Sequence, residues 1–472
     1  MTRATFRLPL LAIPATAWIC APFYAQRIDW FGLFIFAPPK LALFAFLALG
    51  AALLLWARRS SRELSPTWDE VAIGLYFFIA VISLCLHRAG LAPSLEWFAR
   101  FLPAVFLFEL ARSGSRDQSS AADAILVSAS VVAAIALGEA IGIFHFHLPR
   151  APISTLGSRN YVAAYLAIAL PFLVRRMRKG WSSLSISFVL CLTVVVLART
   201  RAAWLAVTVE TGLGLIFLFR RGELNRASTR SRIGQVAGLA LVAVLLGTLV
   251  PWPGLRWRDP RPYRNTLGNL VDWHHGSGRW RANQYRMGVA MLTDSPWFGI
   301  GPGRWLETEP TYRHLVPGQP SSAGLVRETP ESDWLRLMVE TGLLGMAALL
   351  WLASRLLPSI SRAPIEIGLA VAGLAVVSAF DTPLFRSENL ALFAVLIGLA
   401  APRQGFARIA LPSRAIKTMG AVLALLCLGV GFCQNVSFWI SRGNASREQL
   451  ERAQRWFPYS WRAAEIERRQ GQ

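Results

Sequence analysis

Apolar residues in this chain come in long unbroken runs, with polar and basic residues gathered in the stretches between them. A helix rises 1.5 Å per residue, so about 20 apolar residues cross a hydrocarbon core of about 30 Å. Runs of that kind are centred near residues 16, 48, 78, 103, 134, 169, 190, 210, 242, 345, 372, 393 and 428. They predict about thirteen transmembrane helices. Alternation within the runs is weak, which argues against an outer-membrane barrel. The pattern is that of an all-α polytopic membrane protein. The run LEWFARFLPAVFLFELA is the least regular, because Arg100 and Glu109 interrupt it.

Two polar pieces stand apart from the runs: a large loop over about residues 251–333, and a tail at 441–472. The expected organisation is therefore a polytopic domain, 1–440, followed by that tail. ASREQLERAQRWFPYSWRAAEIERRQ has helical periodicity with a break at Pro458. It reads either as a partial tetratricopeptide repeat or as amphipathic helices lying on the membrane. Arg3 and Arg7 precede LPLLAIPATAWICAPFYA, which without a small-x-small cleavage site reads as an uncleaved first span.

Composition agrees with this class. The chain is 54% hydrophobic and 16% charged, against roughly 25% charged in soluble proteins. The formal charge of +22 would suit a nucleic-acid binder only if Lys and Arg shared one soluble face. Here they fall between the runs, so no nucleic-acid partner is expected. Basic stretches at 58–64, 175–180, 220–232 and 403–417 fall on one side by alternation, which the positive-inside rule makes cytoplasmic. The N-terminus is then inside, and the large loop and the tail are outside. Cys20, Cys85, Cys191, Cys427 and Cys433 lie in apolar runs without metal-ligand spacing and read as small buried hydrophobes.

The polar groups on the outer side include few candidates for chemistry. Arg199 and Arg201 stand in LARTRAAWLA, between two runs, where they can reach a polar cavity. GSGRWRANQYRMGVAMLTDSPWFGIGPGRW (276–305) predicts a helix to about Thr293, capped by Ser277 and Gly278 and ended by Asp294-Ser295-Pro296. Trp280, Met287 and Met291 share one side of it, and Arg279, Arg281 and Arg286 add positive charge. GIGPG follows no strand and reads as a turn-rich loop rather than a nucleotide fingerprint. These arginines suggest anion binding, since guanidinium forks match phosphate oxygens bidentately. His145, His147, His274 and His275 lack the carboxylates and third ligand of a metal site, so no metal or other cofactor is expected. Asp381-Thr382-Pro383 and Arg386-Ser387-Glu388 are weaker cavity-lining candidates. Glu139 and Glu210 lie within spans, where carboxylates are either functional or pair helices.

RETPESDWLRLMVETGLLG (327–345) puts charges at the start of a run. Thr329, Pro330 and Glu331 read as N-cap, first helical residue and first-turn carboxylate. Asp333, Arg336 and Glu340 share one stripe, and Arg336 and Glu340 are spaced for an ion pair. Glu331 is left over, with no evident partner.

Four segments, in order and spacing, resemble the O-antigen ligase and polymerase superfamily of bacterial envelope glycosyltransferases. They are LGSRNYVAAYLAIALPF (156–172), TRAAWLAV (200–207), SGRWRANQYRMGVAMLTDSPWFGIGPGRW (277–305) and ESDWLRLMVETGLLG (331–345). With the span pattern, the resemblance covers most of residues 30–435. It implies a fold of the C type of glycosyltransferases in the bacterial inner membrane, with a periplasmic active face. It implies metal-independent, inverting transfer of a glycan from undecaprenyl pyrophosphate to a hydroxyl of a lipid A-core, glycan or protein acceptor. By motif position Arg201 and Arg279 would hold the pyrophosphate, with Arg199, Arg286, Asp333 and Arg336 as further substrate contacts. The family usually has His where this chain has Glu331, a residue thought to activate the acceptor. Either Glu331 is the base, or His314 is, or the activity is lost. Competing readings are a lipid-glycan transporter and an inactive scaffold of envelope-polysaccharide assembly.

The orientation has a direct test. Reporter fusions after residues 60, 178, 228 and 410 should read as cytoplasmic, and those after 265 and 460 as periplasmic. Periplasmic signal at 228 would overturn the topology.

Overall fold

The computed structural model describes residues 3–18, 40–47, 49–50, 67–87, 91–113, 118–143, 152–177, 182–255, 257, 262–268, 276–316, 330–401, 413–440 and 446–457. Its helices, in chain order, are α1 (Arg3–Trp18), α2 (Trp68–Leu86), α3 (Leu91–Ser113), α4 (Gln118–Ile141), α5 (Arg159–Arg176), α6 (Ser182–Ala198), α7 (Arg201–Arg220) and α8 (Ala227–Leu249). They continue with α9 (Pro262–Gly268), α10 (Gly276–Asp294), α11 (Trp305–Tyr312), α12 (Asp333–Arg362), α13 (Ile365–Phe380), α14 (Ser387–Ala400), α15 (Ser413–Ile440) and α16 (Arg447–Trp456). No strand occurs among the described residues. Every expected span centre except residue 48, which lies outside the described residues, falls within a helix. Among the described residues, seven helices (α2, α3, α4, α7, α8, α12 and α15) are long and apolar enough to cross a membrane on length and composition.

The chain divides into two compact units that interleave in sequence. The first comprises residues 1–40, 111–271 and 359–401. Its centre is α5, buried without interruption from Val162 to Leu173 and packed by α4, α6, α7 and α13. α14 is buried along its whole length, which is why a helix of 14 residues is stable there: neighbours, not lipid, cover it. Glu139 accepts the backbone N–H groups of Ile153 at 2.8 Å and Ser154 at 3.0 Å. It pins the turn Ser154–Leu156, which leads into α5. One of the two intramembrane carboxylates thus has a structural role.

The second unit comprises residues 41–110, 272–358 and 402–472. Here the expected span centred at 345 is not one continuous helix. α12 breaks at Gly342, whose φ of 71° and ψ of −174° suit only glycine. The break frees backbone groups that hydrocarbon cannot satisfy. The loop after α10 supplies their partners. Ile300 N–H donates to Val339 O at 3.0 Å and Gly301 N–H to Glu340 O at 3.2 Å. In return Leu343 N–H donates to Pro296 O at 2.8 Å and Leu344 N–H to Trp297 O at 3.2 Å. The loop is itself anchored: Ser83 Oγ on α2 donates to Phe298 O at 2.6 Å, and Ser94 Oγ on α3 to Pro302 O at 2.8 Å. The GIGPG turn is therefore a backbone splint for α12.

The helix ends differ from expectation in two places. α10 starts at Gly276, so Ser277 and Gly278 lie inside it rather than capping it. α12 starts at Asp333 and its cap is Ser332, whose Oγ accepts Leu335 N–H at 3.3 Å. Thr329 lies outside the described residues, and Glu331 precedes the helix instead of sitting in its first turn. In the tail, α16 carries a capping box between Ser446 and Gln449 and sets Trp456 edge to face with Phe432 of α15; Pro458 lies outside the described residues.

A Cβ at Gly299 would come within 2.6 Å of Gly342 N, and one at Gly342 within 2.5 Å of Gly299 N. Both sites also need positive φ. Gly299→Ala and Gly342→Ala should each destabilise the protein by about 2 kcal/mol or more, read as lower midpoints in thermal unfolding in detergent. Gly234→Ala, on α8 with open space around it, should be neutral or mildly stabilising.

Candidate functional site

The residues singled out by sequence fall in both units. In the first, α6 and α7 are joined by only Arg199 and Thr200. Arg199 takes the left-handed conformation, φ 50°, which disfavours a side chain by about 1–2 kcal/mol. Its guanidinium lies over the Trp257 ring, 5.1 Å from the centroid. Trp257 meets Tyr263 edge to face at 5.5 Å, and Tyr263 Oη donates to Gly247 O at 2.7 Å. Burial pushes the Tyr263 phenol up to about 12, with Arg199 pulling the other way, so it remains a donor at any working pH. Arg199 thus fastens the start of the large loop to the α6–α7 corner.

Thr200 Oγ1 reaches Asn160 Oδ1 at 3.3 Å. This contact sets the N-termini of α5 and α7 side by side, each opened by an arginine: Arg159 and Arg201. Arg386, just ahead of α14, lies over the Tyr161 ring at 4.5 Å and donates to Leu156 O at 3.3 Å. Glu388 stands 3.7 Å from Arg386 and 3.8 Å from Lys40, all three buried. Neither Arg159 nor Lys40 stands out as a site residue in the sequence, although Arg159 lies in the LGSRNY segment.

In the second unit, α10 carries Arg279 and Arg286 on its exposed side, while Met287 and Met291 enter a core with Ile300, Trp305, Leu335 and Val339. Trp280 is only half-buried and is not part of that core. Glu331 is not left over, as the sequence suggested. Its carboxylate meets Arg281 Nη2 at 2.8 Å, and its N–H donates to Gln284 Oε1 at 2.7 Å. Both partners lie about fifty residues earlier, which is why local spacing missed them. Arg336 Nε is bonded to Glu340 Oε1 at 2.9 Å, the expected i,i+4 pair, and both are buried. Asp333 is fully buried at the start of α12. These two are thus placed inside the unit rather than on its surface. His314 is exposed, with Nδ1 2.8 Å from Thr311 O. His145, His147, His274 and His275 lie outside the described residues.

Seven of the described helices, α1, α5, α7, α8, α9, α10 and α15, have arginine and no acidic residue in the first turn; in α5, α7 and α10 that arginine lies in a segment singled out by sequence. A helix N-terminus carries roughly half a positive charge, and a cation there is unfavourable by about 0.3–1 kcal/mol. Arginine at such positions makes physical sense when an anion is bound, because the exposed N–H groups and the guanidinium then act together.

The fold is that of a helical membrane protein with basic residues at several helix starts. Residues 186–350 match the family described as O-antigen ligase, so this part of the chain is similar to that family. The match spans the segments at 200–207, 277–305 and 331–345. No curated protein matches the chain.

Whether Glu331 is held by Arg281 or acts as a dipole-stabilising cap can be measured. Arg281→Ala, Glu331→Gln and the double variant, compared by unfolding free energy, should show a coupling of about 0.5–1 kcal/mol for this half-exposed pair. A cap role predicts strictly additive losses.

Proposed function

We propose that the protein is a glycosyltransferase of the bacterial inner membrane. It transfers a glycan from undecaprenyl pyrophosphate to an acceptor hydroxyl on the periplasmic face, as an O-antigen ligase or surface-polysaccharide polymerase. The observation that carries this reading is the match of residues 186–350 to the O-antigen ligase family, within which arginine stands in the first turn of both α7 and α10, where local helix energetics disfavour a cation. A pyrophosphate leaving group turns both terms favourable.

In this reading Arg201 and Arg279 hold the pyrophosphate, with Arg199 and Arg286 adding positive charge. Glu331, oriented by Arg281 and Gln284, takes the proton from the acceptor hydroxyl. The acceptor oxygen forms the new bond to the anomeric carbon as the carbon–phosphate oxygen bond breaks. The leaving pyrophosphate keeps the electron pair, and the arginines stabilise its charge in advance. Inversion follows from displacement on the opposite face. Asp333 and Arg336 support the site by fixing the start of α12. The acceptor is a lipid A-core, a growing glycan or a protein.

Arg201→Ala and Arg279→Ala should each lower transfer from a purified lipid-linked donor by about 10²–10³-fold, the usual loss when one preorganised charge-stabilising contact is removed. Lysine at either site should rescue poorly because it lacks the planar fork. Glu331→Gln should remove transfer while donor binding persists, and Glu331→His should restore part of it with a pH profile near the imidazole value of about 6.5. Full activity in the Gln variant would exclude Glu331 as the base. Donor binding without transfer in the wild type under all conditions would favour the inactive scaffold.

A further inference from the structure

α7 and α8 are joined by a short turn, yet α7 packs on α13 and α5 while α8 packs on α6. Between them the first unit holds a groove of about 1150 Å³. That exceeds the roughly 300–1,000 Å³ of pockets for compact ligands. One end is basic: Arg175, Arg221, Arg232 and Arg362 stand there against Glu223 and Glu366. Arg175 lies 3.8 Å from Glu366, and the Arg221 guanidinium sits over the Phe217 ring at 4.3 Å. The rest of the wall is mainly aliphatic and runs inward to Glu210, which lies against Gly373. Glu210 lies on α7, eleven residues before Arg221 at that helix's C-terminal cap, hence about 16 Å deeper. That is about half the hydrocarbon thickness of about 30 Å, or one leaflet.

From these dimensions and charges we infer that the groove is a binding site for one anionic phospholipid of the leaflet on the side of the 220–232 connection. The phosphate meets the arginine end, the acyl chains lie along the aliphatic wall, and Glu210 marks the inner limit. Arginine is suited to the task because its fork grips phosphate while its stem covers apolar surface. The site is independent of the transfer reaction, since none of the groups proposed for chemistry lines it.

The test uses the purified full-length protein in zwitterionic detergent, with native mass spectrometry. Phosphatidylglycerol and phosphatidylcholine of identical acyl chains are offered separately, and glycerol 3-phosphate as a headgroup without chains. Phosphatidylglycerol should be retained over phosphatidylcholine, and glycerol 3-phosphate should not displace it. A basic side chain near an anionic surface contributes about fivefold, so Arg221→Ala with Arg232→Ala should weaken phosphatidylglycerol binding about 30-fold. Gly214→Trp, which projects into the groove past Leu369, should remove bound lipid while thermal stability is kept. Equal retention of the two lipids, or undiminished phosphatidylglycerol in the Gly214→Trp variant, would overturn the assignment. If the double arginine variant fails to fold, those two comparisons still decide it.

Discussion

The second unit depends on an exchange of backbone hydrogen bonds between two glycines. A helix interrupted within an apolar run must find new partners for the amides and carbonyls it releases, because hydrocarbon offers none. The break at Gly342 is matched by the loop at 296–301, each giving two N–H groups to the other. The approach is close enough that neither Gly299 nor Gly342 tolerates a Cβ. This fixes the short N-terminal half of α12 against the end of α10. Asp333 and Arg336 ride on the first of these elements, with Glu331 just ahead of it, while Arg279, Arg281 and Gln284 ride on the second. The charged residues of this unit are therefore held by main-chain geometry, which a change of side chains elsewhere does not readily shift.

A similar economy governs the first unit. Two helix N-termini are aligned by the Thr200–Asn160 contact, and the first of the two residues between α6 and α7 is an arginine in a strained conformation. Glycine would adopt that conformation freely. Retaining Arg199 there trades backbone ease for a guanidinium stacked on Trp257. Local preferences for helix ends and for turns are both broken at one corner, while the surrounding helices follow their apolar patterns closely.

The helices were legible because burial in lipid or in a bundle needs only length and apolarity, and both are local properties. The break in α12 was not legible. TGLLGMAALL is apolar throughout, and a hydropathy pattern does not record which hydrogen bonds are made. The cap moved from Thr329 to Ser332 for a related reason: both residues are good caps, and tertiary contacts at Glu331 decide between them. Arg336–Glu340 was read correctly since both lie one turn apart. Glu331–Arg281 was not, since fifty residues of intervening chain separate the two. Of the intramembrane carboxylates, Glu139 is explained by the turn it holds. That resolves for one residue a choice the sequence left open for both.

The contact at Glu331 also bears on why a glutamate stands where the related family usually has histidine. Arg281 approaches this side chain to 2.8 Å. An imidazole that gains a proton during catalysis would become a cation beside a fixed guanidinium, and like charges at that distance repel strongly. A carboxylate that gains a proton instead becomes neutral, and Arg281 can still be a hydrogen-bond donor to it. Glutamate and Arg281 thus form a compatible pair in both protonation states, whereas histidine and Arg281 are compatible only while the ring is neutral. Being held in an ion pair and serving as a base are therefore not competing descriptions of Glu331. A base is useful only when it is held in place, and Arg281 and Gln284 hold the side chain and the backbone of Glu331, the residue proposed for that role.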